Sequence, residues 1–235
     1  MEYSAQNMIL LSYQSFNSMT TSHKELRFKD REDAGRQLAQ QLLVYKDTST
    51  VIYALPRGGV VTAIELARAL NAPLDLIIPR KIGHPSNPEY AIGAVAEDGH
   101  LTANPEEIAT IDAQWLRTEI AAQQAEAKRR RLTYLAGAQP IDATGKIAII
   151  VDDGIATGLT MKCAIKELKH RNPKRIIVAV PVAPSDSLAE IAALVDEVIC
   201  LSTPEFMGAI GAFYDSFPQV EDSEVIQLMH SLNTP

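Results

Sequence analysis

Cysteine is close to absent from this chain: only Cys163 and Cys200 occur in 235 residues. Two thiols cannot build a disulfide framework, so the sequence points to a reducing compartment, the cytoplasm. No CxxC pair occurs, and the five histidines show no HExxH-like spacing, which argues against a structural zinc. Neither GxxxxGK(S/T) nor GxGxxG is present, so the common nucleoside-triphosphate and dinucleotide loops are missing. No apolar run approaches the roughly 20 residues that cross a bilayer, and no membrane role is expected. Positive charge is also in short supply. The net charge of −7 speaks against an extended nucleic-acid surface.

What is present is ordinary for a globular protein, with 46% hydrophobic and 22% charged residues. Residues 1–26 are rich in Ser, Thr, Gln, Asn and Met and lack the charged start and apolar core of a signal peptide, so a flexible tail is expected. Residues 27–235 read as a single domain without repeat, linker or low-complexity block. Apolar strands are expected at 51–55, 74–78, 91–96, 147–151, 175–182 and 197–201. Helices are expected at 30–45, 60–70, 112–135, 161–171 and 186–194, with a short one opening at Pro105. Strands alternating with helices imply parallel βαβ units with right-handed crossovers, hence an α/β fold. Residues 79–90 carry three prolines and several charges and read as an exposed, mobile loop. The run Lys128-Arg129-Arg130-Arg131 lies near the end of a long helix, where cations suit the dipole, and reads as a solvated face.

The most informative stretch is 147–161, IAIIVDDGIATGLTM. A buried, β-branched strand ends in two carboxylates, Asp152 and Asp153, and a small-residue loop then runs into a helix. In open α/β sheets ligands bind beyond the carboxyl ends of strands, and a loop entering a helix N-terminus offers N–H groups to a phosphate. The acid pair would repel that phosphate, so it should face hydroxyls, a cation or developing positive charge. Phosphate and hydroxyls together describe a ribose 5-phosphate. A second strand–loop–helix junction, Pro56-Arg57-Gly58-Gly59, lets backbone approach an anion and adds the charge fork of Arg57.

The 147–161 segment resembles the phosphoribosyl-diphosphate signature of the type I phosphoribosyltransferases, with Gly154, Ala156 and Leu159 departing from the usual residues. The resemblance covers about residues 27–225. It implies a Rossmann-like, mostly parallel sheet flanked by helices, with a small hood built from the terminal segments. It implies transfer of the 5-phosphoribosyl group from 5-phosphoribosyl-1-diphosphate to a nitrogenous small-molecule acceptor, with Mg²⁺ and release of diphosphate. Asp152 and Asp153 would hold the ribose hydroxyls, with the metal only indirectly on them, and Ala156, Thr157, Gly158, Leu159 and Thr160 would anchor the 5-phosphate. Arg57, Gly58, Gly59 and the Arg80-Lys81 pair would meet the diphosphate, with His84 and Glu89 as lesser candidates. Phe206, Tyr214 and Asp215, in the aromatic stretch after the last strand, would lie over a base. The family also implies nucleotide salvage and a homodimer. A non-catalytic sensor of phosphoribosyl diphosphate using the same pocket is the alternative. Both cysteines read as buried small apolar residues.

Overall fold

The computed structural model describes residues 27–232; the tail expected at 1–26 lies outside them. Five parallel strands form the main sheet in the order β2-β1-β6-β7-β8: β1 (Thr50–Ala54), β2 (Leu74–Leu76), β6 (Ile147–Val151), β7 (Arg175–Val182) and β8 (Glu197–Ser202). Alternation along each strand sorts side chains to the two faces. Ile52, Ala54, Ile149, Val151 and Ile177 pack beneath α1 (Arg31–Gln41), α2 (Gly58–Leu70) and α7 (Asp222–Leu232). Val51, Tyr53, Ile150, Val178 and Val180 pack beneath α5 (Leu159–Lys169) and α6 (Ser185–Ala192). The strand order reverses between β1 and β6, so the loops leaving those strands face each other at the switch point of the sheet. The expected α/β architecture is present. No helix of the described residues is long and apolar enough to cross a membrane.

Residues 79–90 are not a loop. They form a hairpin of β3 (Arg80–His84) and β4 (Asn87–Val95), which β5 (Leu101–Ala103) extends into a separate antiparallel sheet. The prolines are accommodated by the turn and by a register shift at Gly83, where a Cβ would stand 2.3 Å from the Pro88 carbonyl oxygen. Ile82, Ile92 and Val95 anchor this sheet against Trp115, Leu116 and Ile120. The last three belong to α4 (Ala113–Leu135), which follows the short α3 (Pro105–Ala109).

The basic run on α4 is not one solvated face. Arg131 is buried and donates to Asp75 Oδ1 and to the Leu76 carbonyl oxygen, each at 2.7 Å. Arg129 and Arg130 instead share Glu126, whose carboxyl they hold down at about 2. The helix expected at 30–45 ends at Gln41, and a 3-10 turn, Leu43–Tyr45, continues it.

A hood joins the two terminal parts. The Phe28 N–H donates to the Phe213 carbonyl at 2.9 Å, and the Asp215 N–H returns to the Phe28 carbonyl at 2.8 Å. Phe28, Ala34, Val182, Phe213 and Tyr214 form its core.

Candidate active site

The loops after β1 and β6 are in contact. A Cβ on Gly59 would stand 2.9 Å from Asp152 Oδ1, and one on Gly58 would stand 1.9 Å from Asp153 Oδ2. Only hydrogen fits at either position, so the two glycines are what lets the start of α2 press on the acid pair. The Pro56–Arg57 peptide between them and β1 is cis.

The two carboxylates live in different surroundings. Asp153 is buried and accepts from Arg31 Nε at 2.6 Å, an ion pair spanning 122 positions of sequence. The Arg31 guanidinium lies 3.6 Å from the centre of the Phe217 ring, and its Nη1 donates to the Pro218 carbonyl at 2.7 Å. Tyr214, buried in the hood, donates its hydroxyl to the Asp153 carbonyl oxygen at 2.6 Å. Among the described residues Asp152 has no ion-pair partner of its own; its Oδ1 accepts the Asp153 N–H at 2.9 Å. Burial, with the charge of Asp153 beside it, pushes its carboxyl well above the ordinary range.

The phosphate-type loop keeps its donors open. Gly158 sits at φ 75° as the N-cap of α5, with no side chain capping the helix. Ala156 and Thr157 are exposed, and Leu159 and Thr160 open the helix at its buried-to-half-buried start. The helix therefore presents its first N–H groups and its positive dipole end to the space beside the acid pair. The departure at Gly154 has a steric cause: a Cβ there would meet Ile210 Cγ2 at 2.6 Å and Val182 Cγ1 at 3.1 Å. The hood thus fills the space that a branched residue at 154 would occupy. Gly154→Ala is expected to cost about 1–3 kcal/mol through this overpacking, read as a lower unfolding midpoint in urea; an unchanged midpoint would mean that Ile210 yields freely.

The other candidates are placed unevenly. Arg57 is half-buried, with Nη1 3.5 Å from Asp222 Oδ1 and 3.7 Å from Glu221 Oε2. Arg80 opens β3 and donates Nε to Gln123 Oε1 at 3.1 Å. Lys81 is exposed on the hairpin, with Glu89 Oε2 at 3.3 Å, and His84 is bound to Ser86 in the hairpin turn. Phe206 is 90% exposed, whereas Tyr214 is buried with its ring against Phe28 and Phe217. Asp215 pairs with Arg27 at 2.6 Å on the surface of the hood. Burial pushes both cysteine thiols up to about 12, which leaves them inert. Arg31, Phe217 and Asp222 were not among the sequence candidates. An arginine at the head of a helix with an acidic first turn carries no local sign of a partner so far away along the chain.

Among the described residues, no three His, Cys, Asp or Glu side chains converge on a point. Two carboxylates, one of them already on Arg31, do not make a protein cage for a divalent ion. They suit Mg²⁺ that arrives with most of its ligands supplied by substrate oxygens and water.

A doubly wound sheet with an uncapped helix terminus, an acid pair and a glycine-backed arginine at its switch point defines the class, an α/β protein with its candidate site beyond the carboxyl ends of the strands. A model of the phosphoribosyl transferase domain matches residues 26–216, and the chain belongs to that family. It is similar to the proteins named "Putative phosphoribosyl transferase" in two Mycobacterium tuberculosis strains, CDC 1551 / Oshkosh and ATCC 25618 / H37Rv, at 42% identity over 204 residues. That match takes in 86% of this chain but spans only 46% of those relatives' length. It is also similar to the crystal structure of TT1426 from Thermus thermophilus. There the TM-score is 0.74 and the identity 38%, over 87% of this chain and 98% of that one.

Proposed function

We propose that this domain transfers the 5-phosphoribosyl group of 5-phosphoribosyl-1-diphosphate to a nitrogenous acceptor, with nucleobases the first class to try. The observation that carries the reading is the contact between the glycines of the arginine loop and the acid pair, beside an uncapped helix N-terminus. A ribose ring laid across that junction would have its 5-phosphate at residues 156–160, its hydroxyls at Asp152 and Asp153, and its diphosphate toward Arg57. Asp152 and Asp153 would meet Mg²⁺ only through water or ribose oxygens, and the ion, when bound, would neutralise charge on the leaving group.

The bond from C1 to the diphosphate oxygen breaks, and its electron pair leaves with the diphosphate. C1 becomes oxocarbenium-like, as in glycoside hydrolysis. The uncompensated carboxylate of Asp152 stabilises that positive charge, and Asp153, held by Arg31, fixes the position of the pair. Arg57, Arg80 and Lys81 receive the negative charge of the departing group, the kind of electrostatic contribution that tends to dominate catalysis. The acceptor nitrogen forms the new bond to C1 with inversion, and its proton passes to solvent. Lys81 Nζ rests on Glu89 of its own hairpin, so the reading requires it to leave that carboxylate for the ligand.

The test is diphosphate release from phosphoribosyl diphosphate and Mg²⁺ with adenine, hypoxanthine, guanine, xanthine, uracil and orotate offered in turn. Release with one of them supports the transferase. Tight binding with no release on any acceptor replaces it with the sensor.

A further inference from the structure

The three arginines of the basic run on α4 have three different surroundings, and Arg130 is the one without an assigned task. Arg131 is buried on Asp75, and Arg129 lies outward in a two-pronged contact with Glu126 at 2.7 and 2.9 Å. Arg130 reaches the same Glu126 with Nε at 2.8 Å, but its side chain is only 21% exposed against 57% for Arg129.

Helical spacing puts positions 123, 130 and 134 on one face of α4. Gln123 on that face accepts from Arg80, at the head of β3. Tyr134 on the same face donates to Asp222 Oδ1 at 2.7 Å, the oxygen that Arg57 Nη1 approaches at 3.5 Å. Arg130 therefore stands between the arginine that opens the hairpin sheet and the arginine of the switch-point loop. Burial, and next the charge of Arg130, hold the Arg80 guanidinium below its ordinary value. Arg80 meets the Gln123 amide rather than a carboxylate, with Glu119 accepting from Gln123 Nε2 at 2.8 Å; Arg130 shares Glu126 with the outward Arg129; and Arg57 stands 3.5 Å from Asp222 and 3.7 Å from Glu221. Half-buried guanidinium forks so incompletely matched by carboxylates suit an anion with several oxygens, which they can grip in pairs.

We propose that Arg130 joins Arg57 and Arg80 in a subsite for the diphosphate group, so that α4 contributes directly to the substrate site. This rests on the ribosyl-transfer reading and adds to it a residue from an element that the phosphate loops do not include. The ligand class is a diphosphate ester, or the inorganic diphosphate released from it.

The test uses the full chain with Mg²⁺ and two probes, phosphoribosyl diphosphate and ribose 5-phosphate, titrated calorimetrically into wild type, R130Q, R130K and R129Q. Glu126 keeps Arg129 as a partner in R130Q, so the fold should hold, and a thermal melt checks this. Loss of one charge-assisted contact is expected to weaken phosphoribosyl diphosphate about tenfold in R130Q. Ribose 5-phosphate should bind R130Q as it binds wild type, R130K should recover part of the loss, and R129Q should behave as wild type. If R130Q binds phosphoribosyl diphosphate normally, or R129Q shows the same loss, the subsite is wrong while the ribosyl reading stands. If wild type binds neither probe, the ribosyl reading falls and the subsite with it.

Discussion

Asp153→Ala should destabilise the protein by about 3–5 kcal/mol, because it leaves the buried Arg31 guanidinium without a counter-charge. Arg31 cannot turn to water cheaply. It is clamped by the Phe217 ring and by the Pro218 carbonyl, and its side chain is 9% exposed. For a chain of this size the loss corresponds to a fall in Tm of roughly 6–20 °C. Replacing both partners, Arg31→Met with Asp153→Leu, should recover much of that stability, since a buried ion pair exchanged for apolar groups is often near neutral. Binding should stay lost in the double variant. A fall in Tm of only a degree or two for Asp153→Ala would mean that water already reaches the pair, and that the hood does not hold the acid.

Asp152→Asn should do the opposite. Its carboxyl is raised in the folded protein by burial and by Asp153, so ionising it costs the fold stability. That stability is fully present below the unfolded carboxyl value and is lost as pH rises through the folded one. Near neutrality the asparagine variant escapes this loss, and its amide oxygen can still accept the Asp153 N–H. Its Tm should therefore equal or exceed that of wild type, with a smaller decline as pH rises from about 4 toward 7. Turnover on whichever acceptor is found should nevertheless fall by about 10²–10³, the scale of one electrostatic group aimed at the transition state. A variant with wild-type turnover would remove Asp152 from the chemistry.

The two carboxylates are adjacent in sequence, yet only the fold shows that they are unlike. Their presence at a strand end, with the loop and helix behind them, was legible because everything needed lies within 15 residues. The strands at 147–151 and 175–182 were legible to the residue, since fully buried parallel strands write themselves as unbroken β-branched runs. Of the hairpin, only the second half of β4, within the strand expected at 91–96, was legible; β3 and the start of β4 were not, because Pro79, Pro85 and Pro88 suppress the local strand signal that long-range packing on Trp115 and Ile120 then overrides. Arg131 illustrates the same limit. Beside Arg129 and Arg130 it looks like surface, and only the approach of Asp75 across 56 positions makes it core. Tyr214 was placed near the site by the sequence, but the tie of its hydroxyl to the Asp153 carbonyl oxygen, across 61 positions, shows only in the fold. The helix α7, which brings Asp222 to Arg57 and Tyr134, was not anticipated at all.

The central claim is that the switch-point loops form one site for a phosphorylated ribose carrying a diphosphate. Calorimetric titration of 5-phosphoribosyl-1-diphosphate into the full chain, with and without Mg²⁺, tests it most directly. The account predicts saturable one-site binding that strengthens with Mg²⁺ and is lost in the Arg31→Met, Asp153→Leu variant. No heat of binding to the folded wild-type protein under either condition would contradict it.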